Sequence, residues 1–127
     1  MQALSGRGAG TADETPPNPK PRTYQFVSGD MEVAKGIWLY ETPGHSAGQM
    51  SMMVEVGGGK KMLFPGDAAI LPRHLEEMLI PGMHVDPVQA WKSLLRVREI
   101  QEQHGAEVFF AHVPVDSLGY RMAPEWY

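Results

Sequence analysis

The sequence predicts an α/β fold: a mostly antiparallel sheet with one long helix packed on it. Three observations point there. Residues 24–64 hold a series of short β-prone runs separated by Gly and Pro. Residues 87–104 form a single amphipathic stretch with a start signal and a stop signal. The chain has 127 residues, enough for one domain at most.

Residues 1–22 read as a disordered tail, because Met1 and Leu4 are their only large apolar side chains and Gly and Pro fill much of the rest. The folded domain is then expected over residues 23–127. Tyr24 to Val27 is a first β-prone run, Gly29-Asp30 a turn, and Met31 to Val33 a returning strand. Ile37 to Tyr40 follows, stopped by Thr42-Pro43-Gly44. Gln49 to Val56 and Lys61 to Phe64 flank a hairpin loop at Gly57-Gly58-Gly59, and Pro65-Gly66 ends the run. Met50, Met52, Val54 and Val56 alternate with Ser51, Met53 and Glu55, so at least one side of that strand is strongly apolar. Arg73 to Leu79, bounded by Pro72 and Pro81, reads as a short helix with His74 exposed on it.

Asp86 opens the long helix as N-cap, with Pro87 at its first position and Gln89 completing a capping-box pattern. Val88, Trp91, Leu94 and Leu95 fall on one side, widened by Ala90, Val97 and Ile100. Gly105 is the stop, near His104 in the last turn, where a cation suits the helix dipole. Glu107 to Ala111 then reads as a buried strand ending at His112, and the last fifteen residues as irregular.

Composition excludes several functions. The chain is 43% hydrophobic and 20% charged, as soluble domains are. Its net charge of −4 leaves no broad basic field for nucleic acid or an anionic membrane. No apolar run approaches the roughly 20 residues of a membrane helix, and the N-terminus lacks the apolar core of a signal peptide. A cytoplasmic location is the expectation. With no cysteine, any metal must be held by His and carboxylate. Lys60-Lys61 after the glycine run does not make a phosphate loop, because no Lys-Ser/Thr pair stands at the required spacing.

Three polar residues recur in one context. His45, Asp67 and His112 each stand just past the carboxyl end of an expected strand, where side chains from different strands meet on one rim. Two imidazoles and a carboxylate suit Zn²⁺, Fe²⁺ or Mn²⁺. On pattern alone a His after a strand is more often a hydrogen-bonded surface residue, and Asp67 is equally readable as a turn cap. His84 reads as structural or as support for such a site.

The local strings carry a resemblance. Glu41-Thr42-Pro43-Gly44-His45-Ser46-Ala47-Gly48 resembles the TPGH loop of the metallo-β-lactamase superfamily. Phe64-Pro65-Gly66-Asp67-Ala68 resembles its GDA segment. Asp86-Pro87-Val88-Gln89-Ala90, a helix, and then Phe109-Phe110-Ala111-His112 resemble the end of the N-acyl-homoserine lactonase branch. The resemblance covers residues 24 to 115 and implies half, the C-terminal half, of a metallo-β-lactamase-like αββα sandwich.

It further implies a metal-dependent hydrolase acting on a lactone or ester. His45 would hold the first metal, Asp67 would bridge two and be the catalytic carboxylate, and His112 would hold the second. The metal is expected to be zinc, with iron or manganese as alternatives, and metal-bound hydroxide would attack the carbonyl. The chain also departs from the family. The H-x-H-x-D-H motif that supplies most ligands has no counterpart, and Ile70 stands where the lactonases tend to carry a Tyr. Two protein ligands per metal fall short of the usual three, whereas one metal shared by all three side chains would meet that number. The expectation is a chain inactive alone, completed by a companion chain or a second copy. The alternative is a truncated, non-catalytic half-domain that self-associates or binds a partner through its apolar sheet.

Overall fold

A computed structural model describes residues 23–113, 119–120 and 124–125. The expected tail at 1–22 and most of the expected irregular end lie outside the described residues. The first sheet contact is a hairpin. β1 (Met31–Ala34) turns at Lys35-Gly36 into β2 (Ile37–Glu41), where Gly36 takes a left-handed φ of 76°. The pairing shifts by one residue between Glu32 and Ala34, which bulges this edge. β3 (Met50–Glu55) and β4 (Lys61–Phe64) follow, each antiparallel to the strand before it. Their hairpin is closed by a 3₁₀ turn over Gly57–Gly59, with Gly58 and Gly59 both left-handed.

After α1 (Pro72–Glu76) and α2 (Pro87–His104), β5 (Glu107–Val108) joins the far side of β4 in parallel. The sheet order is therefore β1-β2-β3-β4-β5. Tyr24 to Val27 forms no strand, contrary to expectation, and the sheet begins at β1. The last strand is only two residues long, so Phe109 to Ala111 continue as irregular chain toward His112.

Alternation divides the sheet into two faces. Tyr40, Met53, Leu63, Val108 and Phe110 form one core with Leu94, Val97 and Ile100 of α2. Leu63, Leu94 and Val97 are fully buried, at about 1.5–3 kcal/mol each for a large side chain. The other face carries a continuous apolar row: Met31 pairs with Leu39, Leu39 with Met52 and Met52 with Phe64, and the Phe109 ring lies 5.4 Å from that of Phe64. All five are half-buried.

The helix starts and stops where its caps dictate. Asp86 Oδ1 accepts from Val88 N and Gln89 N, and Gly105 closes the end in the left-handed conformation. The capping box is not completed as expected, because the Asp86 amide donates instead to Gly44 O. The expected buried stripe is also corrected. Ala90, Ser93, Leu94, Val97 and Ile100 face inward, while Val88, Trp91 and Leu95 are exposed at 62%, 43% and 46%. Polar tethers set this rotation: Ser93 Oγ donates to Pro43 O, Arg96 donates to Glu41 O, and Arg96 pairs with Asp30.

Candidate metal centre

Each site residue sits where a strand has just ended. The loop after β2 is closed by Thr42 N donating to Gln49 O, 3.0 Å. Within it Gly44 has φ 133° and lies against the backbone of Ala90, so no side chain fits. Its carbonyl accepts from Val85 N and Asp86 N. That clamp aims His45 over the rim. Asp67 lies in a 3₁₀ turn over Gly66–Ala68, directly after β4. His112 follows β5.

A buried hydroxyl relay joins the first two loops. Ser51 Oγ donates to Pro65 O at 3.2 Å, and Thr42 Oγ1 lies 2.9 Å from Ser51 Oγ. Thr42 and Ser51 are essentially fully buried. With Ser51 donating onward, Thr42 donates to Ser51, and each polar group is satisfied.

The three side chains meet at Asp67. His45 Nε2 lies 3.3 Å from Asp67 Oδ2, and His112 Nε2 lies 2.9 Å from Asp67 Oδ1. His45 Nδ1 is 2.9 Å from Met83 O, which can only accept, so Nδ1 carries a proton. Nε2 then faces the carboxylate in one of two ways. It is the second N–H of an imidazolium, or it is a lone pair that needs a cation between itself and the carboxylate.

The donors are of the kind a metal site uses. In this arrangement, though, both imidazoles point at the carboxylate itself. Among the described residues no group of three or more His, Asp or Glu side chains is placed to hold a metal ion. A metal therefore fits by donor type and not by the arrangement of these three alone.

No family model matches the chain. Curated relatives do. An N-acyl homoserine lactonase of Bacillus thuringiensis is 31% identical over 103 residues, which is 81% of this chain and 41% of that protein. The N-acyl homoserine lactonase AttM of Rhizobium radiobacter is 35% identical over 110 residues, 82% of this chain and 42% of that protein. A solved N-acyl homoserine lactone hydrolase, with N-hexanoyl-L-homoserine bound at its catalytic metal centre, matches with a TM-score of 0.73 and 31% identity, over 82% of this chain and 41% of its own.

The chain is similar to part of an N-acyl homoserine lactonase. It spans about two fifths of the length of the curated relatives it matches. The same fold recurs in a solved structure from Staphylococcus aureus named as a probable metal-dependent hydrolase, at a TM-score of 0.57 and 21% identity, over 66% of this chain and 30% of its own.

The remaining histidines of this lactonase-like chain have other tasks. His74 is buried, not exposed as expected: its Nδ1 accepts from Ile70 N, and its side chain is 8% accessible. Burial, with Arg73 adding to it, pushes its pKa down. His84 Nδ1 donates to Pro81 O and fixes the loop before α2. His104 Nδ1 lies 3.3 Å from the Lys61 ammonium nitrogen, which ties the end of α2 to β4. Sequence reasoning missed Thr42 and Ser51. Their signal was available, since Ser51 is a polar residue on the same strand face as Met53. It missed the Met83 carbonyl too, which carries no side-chain signal.

Proposed function

We propose that this chain carries part of the catalytic centre of a lactonase-like, metal-dependent hydrolase, with His45, Asp67 and His112 as its donors. The observation that carries this is the convergence of two imidazoles on one carboxylate, Asp67, from three separate strand ends. The lactonase relatives support it, and a similar solved hydrolase holds the product N-hexanoyl-L-homoserine at its catalytic metal centre. Zinc is the first candidate, with iron or manganese as alternatives. A bound metal supplies hydroxide near neutral pH and polarises a lactone or ester carbonyl. This chain's own part is to present Asp67 between His45 and His112, with the His45 ring fixed by Met83 O. Three donors do not complete a two-metal shell, so hydrolysis requires further donors from a companion segment, a companion chain or a second copy. The folded domain is taken as residues 23–127 and the tail as 1–22. Among the described residues no helix is long and apolar enough to cross a membrane, and a cytoplasmic location is part of this proposal.

The test is metal per chain, measured by elemental analysis after exposure to Zn²⁺ and Mn²⁺ and size exclusion. About one metal per chain, lost on combined His45→Ala and His112→Ala substitution, supports the reading. No metal above that control overturns binding by this chain alone. A second reading is a non-catalytic half-domain that self-associates, favoured by the apolar row from Met31 to Phe109. Light scattering at low micromolar concentration decides it, and a clean monomer rejects it.

A further inference from the structure

β5 is an edge strand with one paired side. Its inner side is held by β4, with Phe109 N donating to Leu63 O at 2.8 Å. Among the described residues its outer side meets one phenol. Tyr120 Oη accepts from Phe110 N at 2.9 Å and donates to Val108 O at 3.0 Å. One hydroxyl thus satisfies both backbone groups that an absent neighbouring strand would have paired. The Tyr120 ring stacks on Phe109 with centroids 4.3 Å apart, and Phe109 in turn leans on Phe64. The backbone at 108–110 is clamped on both sides, and His112 follows two residues later with its Nε2 on Asp67.

We propose that Tyr120 is the positioning residue for His112, acting through the backbone of Val108 and Phe110 rather than by touching the site. Its value to the site depends on the function proposed above, in which His112 is a donor. The geometry itself stands apart from any metal. A side chain whose supporting backbone is free on one edge loses its aim.

Two variants of the full chain separate the hydroxyl from the ring. Tyr120→Phe keeps the stacking and removes both hydrogen bonds, whereas Phe109→Leu removes the stacking and keeps the phenol. The metal-free readouts are exchange of the Phe110 amide and long-range ¹H–¹⁵N spectra of the histidine rings. Tyr120→Phe is expected to speed Phe110 exchange at least about tenfold. It should move the His112 ring signals while leaving those of His45 in place. Phe109→Leu is expected to leave the His112 signals near their wild-type positions. Unchanged His112 signals in Tyr120→Phe overturn the proposal, as do equal shifts in both variants, which would make the role one of packing. Zn²⁺ affinity of Tyr120→Phe should fall about tenfold. Wild-type protein that takes up no zinc would reject metal binding by this chain alone, while the ring spectra still decide the part played by Tyr120.

Discussion

Gly44 lies in van der Waals contact with the backbone of Ala90, and a single β-carbon on Gly44 would overlap it. The loop that carries His45 and the first turn of α2 therefore share one surface with no slack. The φ of 133° at Gly44 adds a second demand that only glycine meets cheaply. Gly44→Ala is expected to destabilise the chain by more than about 2 kcal/mol, combining backbone strain with overpacking. Urea denaturation of the two proteins checks this, and a change under about 0.5 kcal/mol would show that the loop can swing away.

The relay through Ser51 makes a paired prediction. Ser51→Ala strands the buried Thr42 hydroxyl, at a cost of about 1–3 kcal/mol. Thr42→Val in that background should then cost little, because its partner is already gone. A double-mutant cycle reads the coupling, and strictly additive losses would contradict the relay.

The rotation of α2 predicts opposite outcomes for neighbouring apolar residues. Leu94→Ala should cost about 2–5 kcal/mol, since Leu94 is fully buried. Trp91→Ala should cost less than Leu94→Ala for its size, since 43% of Trp91 is exposed to solvent. Thermal melts of the two variants distinguish this rotation from the one the spacing alone suggests.

At the cap of the same helix, Asp86→Ala is expected to cost about 0.5–2 kcal/mol. Asp86→Asn, which keeps an accepting oxygen, should recover most of it. Far-ultraviolet circular dichroism during urea titration measures both.

His74 gives a pH dependence. Its pKa is depressed in the folded chain, first by burial and then by Arg73. The unfolded chain, with an ordinary value near 6.5, takes the proton first. Stability contributed by neutral His74 is therefore complete above about pH 6.5 and falls as pH drops below it. Protonating Nδ1 also removes the acceptor for Ile70 N, in the segment that follows Asp67. Urea midpoints taken from pH 7.5 down to 5 should decline, and the decline should be smaller in His74→Gln.

The strands from Met31 to Phe64 and the long helix were readable because Gly, Pro and the caps punctuate them, whereas the parallel place of β5 was not. Asp86, Pro87 and Gly105 fix the helix within a residue at either end. The three site residues were readable as an ordered set of local strings. Their mutual contacts were not, since the distance from His45 or His112 to Asp67 depends on strand register. The helix face was misjudged for a physical reason. Apolar residues wrap α2 widely, and Ser93, Arg96 and the Gly44–Ala90 contact choose which of them turn inward. His74 was misjudged because a short helix beside an apolar core buries what its polarity would expose.

The parallel placement of β5 has a kinetic consequence. β1 to β4 pair with immediate chain neighbours, so that sheet closes by short hairpin loops and brings His45 and Asp67 to one rim early. Met62 pairs with Glu107 only after α1 and α2 have been laid between them. His112 is thus expected to be the last of the three to arrive. The expected order of folding is two-thirds of the rim first and its closing residue afterwards, and pulse-labelled hydrogen exchange that protects Phe109 no later than Met53 would contradict it.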